Sequence, residues 1–82
     1  MKVNADKVFE KLLKESEKLE GDMKYYLKEL AYGIGEYPEE YPTAESILEY
    51  FNDILSDSVD MEAITERIKK RLLTIVKRVL KG

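Results

Sequence analysis

Apolar residues in the first third of the chain recur at helical spacing without interruption. Phe9, Leu12, Ser16, Leu19, Met23, Tyr26 and Leu30 follow one another at alternating steps of three and four. Leu13, Leu27 and Ile34 widen the same face. The pattern predicts one helix over about 5–32, with Asn4 as its N-cap. Gly21 would cost such a helix about 1 kcal/mol, so Gly21-Asp22 is its weak point. The competing reading breaks the helix there and lets Asp22 cap a second one. Sustained register favours continuity.

Gly33, Gly35, Pro38 and Pro42 predict the end of this helix and a main loop over about 34–42. Thr43 is a good N-cap for a second helix over about 43–56, with Glu45 facing its positive end. Ile47, Leu48, Phe51, Ile54 and Leu55 supply its apolar side. Asp60 is the expected cap of a last helix over about 60–81, with Val59 stapling onto Ile64. Met61, Ile64, Ile68, Leu72, Ile75 and Val79 form the inner face there, flanked by Leu73, Val76 and Leu80. No internal repeat or low-complexity segment interrupts these patterns.

The expected fold is therefore all-α: a small antiparallel bundle of three helices, or four if the first breaks. At 1.5 Å per residue the three helices would measure roughly 42, 20 and 32 Å, so the middle one covers only half of the groove between the others. The apolar side of the last helix spans about 180°, which calls for neighbours on both flanks. Homodimerisation would satisfy both features. The alternative is a monomeric three-helix bundle whose long helix bends at Gly21. With 82 residues the chain is read as one domain, burying roughly 60–65% of its unfolded surface.

Composition narrows the chemistry. The chain has no cysteine and no histidine, which removes disulfides, thiolate metal sites and imidazole ligands. No run reaches the 18 or so apolar residues of a membrane span, and the charged N-terminal segment lacks a signal-peptide core, so a cytoplasmic protein is expected. Abundant Glu and Lys with no Gln lean toward a thermophilic source. Ser16 has no histidine or cysteine to join in a triad, and a small hydroxyl in a bundle seam is more often a packing feature. Gly33-Ile34-Gly35 is followed by no nearby lysine, so no phosphate-cradling loop is present. Glu36, Glu39 and Glu40 lack the alternating oxygen ligands of a calcium loop. No catalysis and no cofactor are expected.

Charge is segregated along the chain although the net charge is only -3. Residues 29–66 hold 11 acidic side chains and no interior cation, whereas residues 67–82 hold 7 cations and no acid. On a helical wheel Arg67, Lys70, Arg71, Lys77, Arg78 and Lys81 share an arc of about 120°, with Lys69 apart. Such a stripe suits phosphates, but it offers no Asn, Gln or aromatic group, so nucleic-acid binding through it would be sequence-nonspecific. Glu66 can pair with Lys70, and the helix dipole favours Lys77, Arg78 and Lys81 near its end. Glu45, Glu49 and Asp53 form an acidic ridge on the middle helix, extended by Asp57. That ridge is the expected counterpart of the stripe, within one subunit or across a dimer.

All six tyrosines lie between positions 25 and 50. Tyr32, Tyr37, Tyr41 and Tyr50 flank or occupy the main loop, where they would either close the end of the bundle or form a partner interface. The favoured reading is a self-associating structural or protein-interaction module with no membrane contact. The alternative is nonspecific nucleic-acid binding through the basic face of the last helix.

Overall fold

The chain turns back on itself at the position where the long first helix was expected to continue. The structure, a computed structural model, describes residues 2–82. α1 spans Ala5–Glu17 and α2 spans Gly21–Glu36. Asn4 caps α1 as expected, its side-chain oxygen accepting from Lys7 N–H at 3.2 Å. α1 ends in tight turn bonds from Lys18 N–H to Glu15 O and from Leu19 N–H to Ser16 O, both 3.1 Å. Gly21 follows with φ of +61°, a left-handed conformation that costs a side chain about 1–2 kcal/mol. The break of the competing reading is observed, but Asp22 is not its cap. Asp22 lies in the first turn of α2, and Glu20 holds the N-cap position without a side-chain hydrogen bond. The three-four register continues across the break because both halves turn their stripe toward the same core.

α2 runs on to Glu36 through the two glycines that were expected to end it. They serve close packing rather than termination. A Cβ on Gly33 would collide with the Tyr50 hydroxyl, and one on Gly35 would lie 2.8 Å from the Phe9 ring. A 3-10 turn, Pro38–Glu40, then leads to α3, Ala44–Asp60. Thr43 and Ser46 form a reciprocal capping box at its start, with bonds of 3.1 and 3.2 Å. Val3 N–H donates to Pro42 O at 3.0 Å, pinning the segment before α1 to the entry of α3.

α3 continues four residues beyond its expected end at Ser56, and Asp60 belongs to it rather than capping the next helix. It closes in a Schellman arrangement: Glu62 N–H bonds Val59 O at 2.9 Å and Ala63 N–H bonds Ser58 O at 2.8 Å. Glu62 itself takes φ of +61° there, the position usually given to glycine. α4 spans Glu66–Lys81, capped by Thr65, whose Oγ1 accepts from Ile68 N–H at 3.2 Å. Met61 therefore sits in the connection, 78% exposed, instead of on an inner face, and Ile54 is 40% exposed. No staple forms across Asp60; Val59 packs on the core from α3, and Ile64 is buried in the connection.

The result is a bundle of four helices with no sheet among the described residues. α1 packs most closely on α2, α3 on α4, and α4 also on α1. Leu12, Leu27, Ile34, Ile47, Phe51, Leu55, Leu72 and Val76 are fully enclosed. Ser16 joins them at 2% exposure, its hydroxyl donating to Leu13 O at 2.6 Å, so the seam holds no unmet polar atom there. The radius of gyration is 11.7 Å. A compact domain of this length is expected at about that value. The length mismatch that called for a second copy does not arise, because the first helix is divided.

Two substitutions test these backbone assignments by urea denaturation. Glu62→Gly relieves the left-handed strain and is expected to raise stability by about 1 kcal/mol; an unchanged or lower midpoint would remove the Schellman assignment. Gly35→Ala crowds the Phe9 ring and should lower stability by about 1–2 kcal/mol despite the better helix propensity of alanine. A more stable Gly35→Ala protein would show that the ring is free to move.

Candidate functional site

The composition of α4 dictates what it can show to solvent. Leu72 and Val76 are buried, and Ile68, Leu73, Ile75, Val79 and Leu80 pack partly buried around them. That wide apolar arc leaves the other side to cations, and Arg67, Lys70, Arg71, Lys77, Arg78 and Lys81 are all exposed on it. Lys69 stands apart at the edge of the core, its amine 3.9 Å from Glu66. Glu66 thus pairs three residues along rather than with Lys70.

α1 contributes a second set of cations. Exposed Lys11 and Lys14, with Lys18 at its C-cap, meet the C-terminal half of α4 around two open clefts of about 350 and 370 Å³, and a third of about 310 Å³ lies on α4 itself. One is lined by Lys11, Lys14, Glu15, Lys18, Arg78, Val79 and Gly82. The next joins Glu15, Lys18, Leu19 and Met23 to Arg71, Thr74, Ile75 and Arg78. The third lies between Thr74, Lys77, Arg78 and Lys81. The two helices run in opposite directions here, since Lys11 shares a cleft with Gly82 while Leu19 shares one with Arg71.

Glu15 is the one acidic side chain among these linings. Its Oε1 accepts from Arg78 Nη2 at 2.9 Å and its Oε2 from Lys18 Nζ at 3.1 Å. The Lys18 hydrogen bond holds the carboxyl below its usual range, assisted by Arg78 and opposed by partial desolvation. Lys11, Lys14, Arg71, Lys77 and Lys81 form no ion pair among the described residues. Sequence reasoning placed the basic face on α4 alone. The missing signal was present as Lys7, Lys11, Lys14 and Lys18, which recur at steps of four, three and four.

The acidic ridge does not meet the stripe within the chain. Glu45, Glu49, Asp53 and Asp57 are exposed on α3. No ion pair joins Glu49, Asp53 or Asp57 to a cation among the described residues. The carboxylate that α4 does engage comes from α1, through Arg78 and Glu15.

The tyrosines divide between packing and solvent. Tyr50 is half-buried, 4.9 Å from the Tyr41 ring and edge-on to Phe51 at 5.7 Å, and burial pushes its phenol above the usual range. Burial also raises Tyr41, helped by the Glu40 charge. Tyr32 is 44% exposed and leans on Phe9 at 5.5 Å. Tyr37 is 49% exposed, its phenol raised by the adjacent Glu36 carboxylate. No tyrosine lines the three clefts of the basic face.

Among the described residues no group of acidic side chains has the geometry to hold a metal ion, and no helix is long and apolar enough to cross a membrane. No family model, curated protein or solved structure matches the chain at a significant level.

The Glu15 pairing gives a pH test with a defined sign. A carboxyl whose folded pKa is depressed adds stability above its unfolded value, near the ordinary 4.5, and loses that contribution as pH falls through the folded value. The charged groups facing Glu15 are Lys11, Lys14, Lys18, Arg71 and Arg78, all of them cations. Glu15→Gln should therefore be less stable than the native chain at about pH 7, with the gap closing as pH falls through the folded value. A gap that persists in acid would place its origin in packing instead.

Proposed function

We infer that this domain is a non-catalytic binding module that holds a polyanionic partner against the shared face of α1 and α4. The observation that carries this reading is the clustering of Lys11, Lys14, Lys18, Arg71, Lys77, Arg78 and Lys81 around contiguous clefts containing one acidic side chain. Like charges so gathered repel one another, and a partner's anions relieve that repulsion while releasing bound counterions.

Dimensions favour the backbone of a nucleic-acid duplex. Lys11 to Lys18 spans about 10 Å along α1 and Arg71 to Lys81 about 15 Å along α4, on axes about 8–10 Å apart. Such a platform covers a few consecutive phosphates. Readout of bases is not supported: the clefts hold no Asn or Gln, and the Thr74 hydroxyl donates to Lys70 O at 2.9 Å. Stacking on unpaired bases is not supported either, since no aromatic side chain lines the clefts.

A second reading, self-association, draws on the α3 ridge. Glu49, Asp53 and Asp57 make no ion pair within the described chain, so the basic face of another copy would complement them. It ranks lower because the main apolar core is already enclosed by one chain, which leaves the ridge charges and scattered exposed side chains such as Ile54 and Tyr37 to drive the contact.

Titration of a duplex DNA of about 20 base pairs across salt concentrations separates the readings. Binding with a log–log salt slope of about -4.5 to -6.3 is expected, matching about five to seven phosphate contacts. Lys11→Glu with Lys14→Glu, and separately Lys77→Glu with Lys81→Glu, should each weaken it by tenfold or more. Loss in the α4 variant alone would dissolve the shared face. No binding by the native chain, with a sedimentation mass that falls with salt and on Glu49→Lys with Asp53→Lys, would instead favour self-association.

A further inference from the structure

Within the basic face one carboxylate is placed unlike any other. Glu15 borders two of the three clefts and gives one oxygen to each of two cations, Arg78 at 2.9 Å and Lys18 at 3.1 Å. Two oxygens of a phosphate group, bridging a lysine and an arginine, would make the same pair of contacts. Exposure is asymmetric: the Glu15 side chain is 21% exposed, whereas those of Lys18 and Arg78 are 71% and 64%. The two cations are thus accessible to an arriving anion, which would contend with the carboxylate for the same N–H donors.

We propose that Glu15 is an internal ligand of an oxyanion site formed by Lys18 and Arg78, occupying the place of a partner's phosphate and competing with it. The inference rests on the polyanion reading and assigns that face a specific phosphate position. Ion pairs between exposed groups are weak, so an oxyanion of higher charge can exchange for the carboxylate without unfolding anything. The competition lowers affinity and returns the cations to a paired state on release. It also keeps Lys18 and Arg78 in position when no partner is bound.

The test measures binding of the same DNA duplex by the native chain, Glu15→Gln and Glu17→Gln. Glu17 is exposed on the same helix and makes no ion pair among the described residues, so its substitution removes the same charge without freeing the two cations. Glu15→Gln is expected to bind roughly 5–10-fold more tightly than the native chain, and Glu17→Gln by no more than about twofold. Its salt slope should steepen by about 1–2, since each freed cation adds about 0.9. Glu15→Ala, checked for helicity by circular dichroism, should change in the same direction. Equal affinities and slopes for the two Gln variants would overturn the competition while leaving the polyanion reading intact. Weaker binding by folded Glu15→Gln and Glu15→Ala would overturn it too, making Glu15 a support of the site. Absence of salt-dependent binding in every protein would remove the polyanion reading and this inference with it.

Discussion

The left-handed backbone at Gly21 is the constraint from which the architecture follows. A continuous helix would carry the first apolar stripe about 42 Å in one direction and leave half of it uncovered. Reversal at Gly21 folds α1 onto α2, and both stripes then close around Phe51, Leu55, Leu72 and Val76. The same reversal sets α1 beside α4, which is how Lys11, Lys14 and Lys18 come to share clefts with Arg78 and Arg71. Core and basic face therefore have one origin. Nothing surrounds the position a Cβ would take on Gly21, so its need for glycine is purely conformational.

Gly33 and Gly35 answer the opposite need. Both are helical, and both are glycine because an aromatic ring lies where a side chain would go. Tyr50 from α3 closes over Gly33 and Phe9 from α1 over Gly35, so the end of α2 is clasped by two other helices. Tyr41 and Tyr32 extend this cluster outward, at 4.9 Å from Tyr50 and 5.5 Å from Phe9. Burial of Tyr50 favours its neutral phenol, so alkaline pH works against the clasp as it rises through the tyrosine range. This end of the bundle is where much of the tyrosine content is spent on packing.

How much was legible in the sequence follows from what each signal encodes. Periodicity located most of the core, Leu12, Leu27, Leu30, Ile34, Ile47, Phe51, Leu55 and Leu72 among it, but it also put the exposed Ile54 and Met61 on apolar faces and left the buried Val76 at a flank. It could not set the direction of the chain after Leu19, since three-four spacing survives a reversal. Glycine was ambiguous for a related reason: Gly21 turns the chain, while Gly33 and Gly35 make room, and their letters are identical. The boundary between α3 and α4 was displaced because Asp60 and Thr65 are both competent caps. Glu62 decided between them by taking a conformation that glycine normally marks. The basic stripe of α4 was readable, yet its partners on α1 were not, because their proximity is tertiary.

The acidic ridge and the basic face were expected to neutralise each other, and the magnitudes explain how Glu49, Asp53 and Asp57 can forgo ion pairs with that face. Screening at physiological ionic strength acts over about 8 Å. The bundle measures 32 by 23 by 21 Å, so each of its dimensions exceeds twice that distance. α1 packs on α2 and α4, whereas α3 packs chiefly on α4, so the Lys11 to Lys18 row and the α3 carboxylates stand on helices with little mutual contact. Exposed side chains on different helices then gain less from mutual attraction than they would lose in rotamer freedom by stretching toward each other. Glu15 escapes this limit because it sits at the seam itself, within 3 Å of Arg78. The net charge of -3 therefore describes no face of the molecule. What a partner meets is either the carboxylates of α3 or the cations of α1 and α4, and the local field of the second is tempered by one residue.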